Sequence, residues 1–115
     1  MTFADRLDNA IAERGTPVVV GIDPHLDLLP LDYAAAADPE VGRSERADLV
    51  ARFCTELVEV AAGRVPAIKP QSAFFEQLGA DGVRAWEEVL SAAKDAGLLV
   101  IGDVKRGDIA STAKA

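Results

Sequence analysis

Cysteine, histidine and basic charge are what this sequence is short of. A single cysteine, Cys54, permits no disulfide within the chain and points to a reducing compartment. One histidine beside one cysteine leaves no credible nitrogen–sulfur metal site; only a hard cation held by carboxylates stays open. With 12 Lys and Arg against 19 Asp and Glu, the net charge is -7. That leaves no surplus of cations to displace phosphate counterions, so nucleic acid is not an expected partner. A small phosphorylated molecule stays possible, because a few local donors suffice to hold one. No apolar run approaches membrane-spanning length, and Met1-Thr2-Phe3-Ala4-Asp5-Arg6 lacks the apolar stretch of a signal peptide. The expected setting is the cytoplasm, with no membrane partner.

What is present is an alternation of helix and strand. Thr2 is placed to cap a first helix with Phe3, Leu7 and Ala10/Ile11 on one face, closed by Gly15. Residues 17–22 (PVVVGI) form a continuous apolar run rich in β-branched residues, which predicts a strand buried on both faces. Residues 25–42 are loop-rich, with Pro30, Pro39 and an alanine run that can hold a helical turn. Ser44 then opens a long helix with Val50, Phe53, Cys54, Leu57, Val58 and Ala61 inward, stopping near Gly63. Residues 65–69 predict a second strand and 71–78 a short helical segment. A further helix is predicted over 81–96, with Val83, Trp86, Leu90 and Ala93 inward and Gly97 at its C′ position. Residues 98–102 predict a third strand, and Asp108 begins another helix. Within its apolar pattern, Cys54 reads as a small core residue rather than a nucleophile.

Such an order gives parallel strands, hence either an open doubly wound sheet or a (β/α)8 barrel. A closed barrel takes about 200–250 residues. The expectation is therefore the N-terminal half of a TIM barrel: residues 1–115 as a partial barrel domain, with three strands and the start of the next helix, its C-terminal half absent.

Charge follows each strand. Asp23 ends the first, Lys69 the second and Asp103 the third, with Lys105 two residues on and Asp108 three further. In parallel α/β folds the C-terminal strand ends share one face, and active sites form there. Asp103 and Lys105 share the alternation of an extended chain and so point the same way. A Lys held among carboxylates keeps its proton ready for delivery, and a carboxylate fixed in a dry site destabilises a neighbouring anion. Solvated strand-end polarity would explain Asp23 or Lys69 alone, but hardly Asp103, Lys105 and Asp108 together. His25 is expected to stabilise its turn or to stand exposed, Phe74 and Phe75 to pack one inward and one toward a partner, and Arg106 to be a solvated or interface charge.

The run Asp103-Val104-Lys105-Arg106-Gly107-Asp108-Ile109-Ala110-Ser111-Thr112 resembles the D-x-K-x-x-D-I-x-x-T signature of orotidine 5′-phosphate decarboxylases. Val20-Gly21-Ile22-Asp23-Pro24-His25 and Lys69-Pro70-Gln71-Ser72-Ala73-Phe74-Phe75-Glu76 are similar to segments of that family's longer bacterial branch. The resemblance implies a barrel that converts orotidine 5′-phosphate to uridine 5′-phosphate (UMP) in pyrimidine biosynthesis, with no cofactor and no metal. It implies a network of Lys69, Asp103, Lys105 and Asp108. Lys105 would donate a proton to C6 of the pyrimidine, and Asp103 would lie against the substrate carboxylate. Lys69 would hold Asp103 and a ribose hydroxyl, and Asp23 would bind the ribose. It also implies a homodimer, with Asp108, Ile109 and Thr112 reaching the neighbouring subunit's site. The family's second half supplies a phosphate-gripping Arg and a closing loop, so this chain alone is expected to be inactive.

Two rival readings stand beside it. Hexulose-phosphate synthases and keto-gulonate-phosphate decarboxylases also carry a D-x-K-x-x-D run but use it with Mg²⁺ as sugar-phosphate aldolases or decarboxylases. Ile109, Thr112 and the segment after the second strand favour the orotidine reading. The other rival is a non-catalytic half-barrel that only assembles with a partner.

Overall fold

A computed structural model describes all of residues 1–115. Thr2 opens helix α1 (Phe3–Arg14) through a reciprocal capping box. Its Oγ1 accepts from the Asp5 amide at 3.2 Å, while Asp5 accepts from the Thr2 amide at 2.8 Å. Gly15 closes the helix at φ 72°, a left-handed position that costs glycine nothing. The expected face of α1 is only half covered: Leu7, Ala10 and Ile11 are half-buried, and Phe3 is exposed.

Strand β1 (Val19–Ile22) is followed by two 3₁₀ segments, Leu26–Leu28 and Leu31–Ala37, in the loop-rich stretch. Helix α2 (Arg43–Ala61), strand β2 (Ala67–Pro70), the short helix α3 (Ala73–Glu76) and helix α4 (Gly79–Asp95) follow. Strand β3 (Leu99–Val100) and helix α5 (Ala110–Lys114) complete the order. The strands are parallel in the sequence β1-β2-β3, with Gly21 opposite Lys69 and Ile68 opposite Val100. A further parallel bridge joins Gln71 to Asp103, carrying the pairing past the strand ends.

The core lies on one side of this sheet. Ile22 and Ile68 point to that side and pack with Val50, Cys54, Val58, Val89 and Ala93 from α2 and α4. Both crossover helices therefore cover the same face. A doubly wound sheet places helices on both faces, so the arrangement is that of a half barrel. By the strand alternation, Val19, Gly21, Ala67, Lys69, Leu99 and Ile101 line the opposite face, and of these only Ala67 is fully buried. The expectation that β1 is buried on both faces is thus corrected: Val18 is 56% exposed and Val19 and Val20 are half-buried. Its apolar run reflects what a closed barrel interior demands, and three strands do not enclose one.

The inward face of α4 differs from the expected one, whereas that of α2 holds at Val50, Cys54, Val58 and Ala61. In α4 the buried residues are Gly82, Ala85, Val89 and Ala93, while Val83 is 42% exposed and Trp86 and Leu90 are half-buried. In α2 they are Ala47, Val50, Ala51, Cys54, Val58 and Ala61, with Phe53 and Leu57 half-buried. In α4 the period is as predicted but the phase is turned toward the small residues. They let α2 and α4 pack closely along their length. Phe74 and Phe75 are both buried: Phe74 lies under His25 with ring centroids 4.2 Å apart, and Phe75 meets Trp86 edge-on at 5.4 Å. Phe74 therefore does not face a partner; the histidine of its own chain covers it. No helix is long and apolar enough to cross a membrane.

Candidate active site

The C-terminal ends of the three strands bring charge to one edge of the sheet. Asp103 is the fixed point. Its amide donates to Pro70 O at 3.0 Å and its carbonyl accepts from the Ser72 amide at 2.9 Å, so its backbone is tied to the end of β2 on both sides. Its carboxylate is only 12% exposed, and its Oδ2 collects two hydrogen-bond donors and a second ammonium at ion-pair distance. The Lys105 ammonium bonds to it directly, Lys69 Nζ stands 3.6 Å away and Gln71 Nε2 donates at 3.2 Å.

Lys69 and Gln71 reach the same carboxylate because residues two apart in an extended strand share a face. The Lys105 hydrogen bond, with the Lys105 and Lys69 charges, holds the Asp103 carboxyl below the usual carboxylate range against its partial burial. The same hydrogen bond holds the Lys105 ammonium above the usual lysine range, with Asp108 and Asp23 adding attraction at longer range. Lys105 is therefore a firmly protonated cation surrounded by carboxylates.

Of the residues singled out from sequence, Lys69, Asp103 and Lys105 come into contact. Asp23 and Asp108 stand near enough to act on Lys105 by charge but form no ion pair with it. Asp108 turns back to accept from the Ile109 amide at 2.9 Å. Asp108 and Thr112 line, with Lys105, Arg106 and Glu76, an open cleft of about 390 Å³. Ile109 lies outside it and is 79% exposed. Between them the backbone is tightly turned: Gly107 has φ 65° and Ala110 has φ 52°, the latter a strained value for a residue with a side chain.

His25 has the turn-stabilising role expected of it, and a second one. Its Nδ1 lies 2.9 Å from the Asp23 carbonyl, to which it donates, and its Nε2 stands in hydrogen-bond contact with the Ser111 hydroxyl at 3.3 Å. The ring so joins the end of β1 to α5. Two contacts escaped the sequence reading. Gln71 has the same two-residue spacing from Lys69 that Lys105 has from Asp103, and that signal was available. Arg106 is a solvated charge, as expected, with its side chain 71% exposed, and it also donates to Val104 O, Lys105 O and Glu76 Oε1 at 3.0–3.1 Å. Nothing in local sequence couples Glu76 to a residue 30 positions away.

The sequence model of the orotidine 5′-phosphate decarboxylase / HUMPS family matches residues 16–115. The chain is 46% identical over its whole length to an orotidine 5′-phosphate decarboxylase of Rhodopirellula baltica, covering 38% of that protein. It is 46% identical over 96% of its length to the enzyme of that name from Streptomyces coelicolor, covering 36% of it. A crystal structure from Streptomyces avermitilis matches with a TM-score of 0.69 and 41% identity, over 96% of this chain and 35% of that one. The OMP decarboxylase of Leishmania donovani matches with a TM-score of 0.65 and 33% identity, over 97% of this chain and 36% of that one. The chain thus spans less than two fifths of the length of the curated relatives it matches.

Proposed function

The chain belongs to the orotidine 5′-phosphate decarboxylase / HUMPS family, and we propose that it carries the charged part of a site that decarboxylates orotidine 5′-phosphate to UMP. The observation that supports this best is the Asp103 carboxylate with Lys105 bonded to it and Lys69 beside it. Loss of carbon dioxide from a pyrimidine with no electron sink leaves a localised carbanion. The available catalysis is electrostatic, from cations already fixed where negative charge develops.

In this reading Lys105 carries the proton that quenches the carbanion at C6, and Asp103 presses on the substrate carboxylate as it leaves. Lys69 orients Asp103 and Asp23 takes the ribose. Asp108, Ile109 and Thr112 serve a neighbouring copy in a homodimer, consistent with the apolar Ile109 side chain standing 79% exposed. The chemistry runs on side chains alone, with neither metal nor organic cofactor, in the cytoplasm. Catalysis of this kind needs a water-excluded site, whereas here the Lys69 and Lys105 side chains are 43% and 54% exposed. The isolated 115-residue chain is accordingly inactive.

The test is a chimera in which residues 1–115 replace the matching part of the Rhodopirellula baltica relative, assayed by ultraviolet absorbance with orotidine 5′-phosphate. The chimera turns over, keeps its activity in EDTA, and loses roughly 10²–10⁴-fold on Lys105→Ala. Near-normal turnover by the Lys105→Ala chimera would remove Lys105 as proton donor. Loss of activity in EDTA, restored by Mg²⁺, would favour the metal-dependent sugar-phosphate chemistry of the same family. Turnover by the isolated chain would refute its inactivity.

A further inference from the structure

Lys105 stands on a loop whose side chains are mostly in solvent, yet its ammonium has one fixed partner. Asp103, that partner, is locked to β2 through both its backbone and its carboxylate. No comparable lock acts on Lys105 from its own sheet, because the ladder ends at the Gln71–Asp103 bridge. The next two residues turn away, and Gly107 takes a left-handed conformation.

What holds the loop is Arg106. One terminal nitrogen of its guanidinium donates to Val104 O at 3.1 Å and to Lys105 O at 3.0 Å, capping the two carbonyls that flank the Lys105 peptide unit. The other donates to Glu76 Oε1 at 3.0 Å, at the end of α3. Helix α3 is anchored in turn by the buried Phe74 and Phe75. A planar fork with fixed donor directions can serve these three acceptors together, and a single ammonium cannot. An exposed ion pair of this kind adds little to stability, about 0–1 kcal/mol. Its consequence is therefore positional.

We propose that Glu76 and Arg106 are positioning residues for Lys105: they clasp the backbone on either side of it to α3, and so hold its ammonium against Asp103. The importance of the clasp rests on the reading of Lys105 as the proton donor, but its existence is tested without turnover. The groups facing Lys105 are Asp103, Asp108 and Asp23, with Lys69 beyond Asp103 and Arg106 adjacent.

The experiment follows the lysine side-chain titrations by NMR in the 115-residue chain carrying ¹³C-labelled lysine. Charge and clasp predict opposite signs for Arg106→Gln. Deleting a neighbouring cation raises the Lys105 pKa if nothing moves. Releasing the loop detaches the ammonium from Asp103 and lowers that pKa toward the ordinary lysine value of 10.5.

The proposal expects a fall in Arg106→Gln, and a fall also in Arg106→Lys, where the charge is kept and the fork lost. In the double variant with Glu76→Gln the two substitutions are non-additive. Unchanged amide chemical shifts in α2 and α4 show that the fold is intact. A rise, or no change, in Lys105 for both Arg106 variants overturns the clasp. The orotidine 5′-phosphate assay of the chimera with native Glu76 and Arg106 judges the decarboxylase reading separately, so either can fail without the other.

Discussion

Gln71 Nε2 donates to Asp103 Oδ2 at 3.2 Å, across the bridge that extends the β2–β3 ladder past its last regular pair. A carboxylate only accepts hydrogen bonds, so the amide must present its NH₂ group there. Its Oε1 is then left buried without a partner. An orphaned buried oxygen costs about 1–3 kcal/mol, so the amide is retained at some expense to stability.

Gln71→Leu should therefore change Tm little, since it removes the orphan together with the hydrogen bond. Its effect falls on Asp103, whose carboxyl loses a donor to its charged form and moves up. Carboxyl-carbon NMR titration of Asp103 measures this. An unmoved titration would mean that Gln71 only fills space.

The Asp103–Lys105 pair has a defined pH window. Asp103 is held below its ordinary value of 3.8, so its contribution is present above that pH and is lost as pH falls through the lower folded value. Lys105 is held above 10.5, so its contribution is complete below that pH and is lost as pH rises through the higher folded value. The stability difference between the native chain and Lys105→Met should be flat from about pH 5 to 9 and shrink at both extremes. Urea unfolding across that range measures it, and a difference that slopes steadily through neutral pH contradicts the assignment.

Gly82→Ala should destabilise the fold, although alanine is favoured over glycine by about 1 kcal/mol within a free helix. A Cβ at this position would lie 1.7 Å from Phe75 O and 2.9 Å from Leu78 Cβ. The first turn of α4 would have to lift off α3, at about 1–3 kcal/mol. Chemical denaturation gives the sign: a more stable Gly82→Ala chain would mean that the close approach of α4 to α3 is not as described.

Cys54 is fully buried between α2 and the sheet, and burial pushes its thiol up to about 12. A disulfide reagent near pH 8 should leave the folded chain unmodified and react only as fast as the chain opens. The reaction rate should rise with urea in step with unfolding. Immediate stoichiometric labelling of the native chain is the contrary result.

The strand-end charges were legible because alternation along extended chain is a local property. Counting residues past the apolar runs is enough to bring Lys69, Asp103 and Lys105 to one edge, where their side chains meet. The helix faces were harder. Choosing Val83, Trp86 and Leu90 over Gly82, Ala85 and Val89 ranks side chains by hydrophobicity, but the contact between α2 and α4 selects for close approach. Trp86 is no less useful for being half-buried, since it closes over Phe75. The burial expected of β1 also failed locally, because burial depends on what stands opposite and not on the strand itself.

Order and type of elements, the parallel sheet and the charged strand ends were thus determined by sequence, through periodicity, caps and β-branched runs that act over a few residues. Tertiary structure decided the rest. It put both crossover helices on one face, set Gln71 under Asp103, laid His25 over Phe74, and joined Arg106 to Glu76. Each is a contact between segments distant in the chain. The geometry of such a contact is fixed by packing and hydrogen-bond satisfaction at the meeting point, which no local pattern encodes.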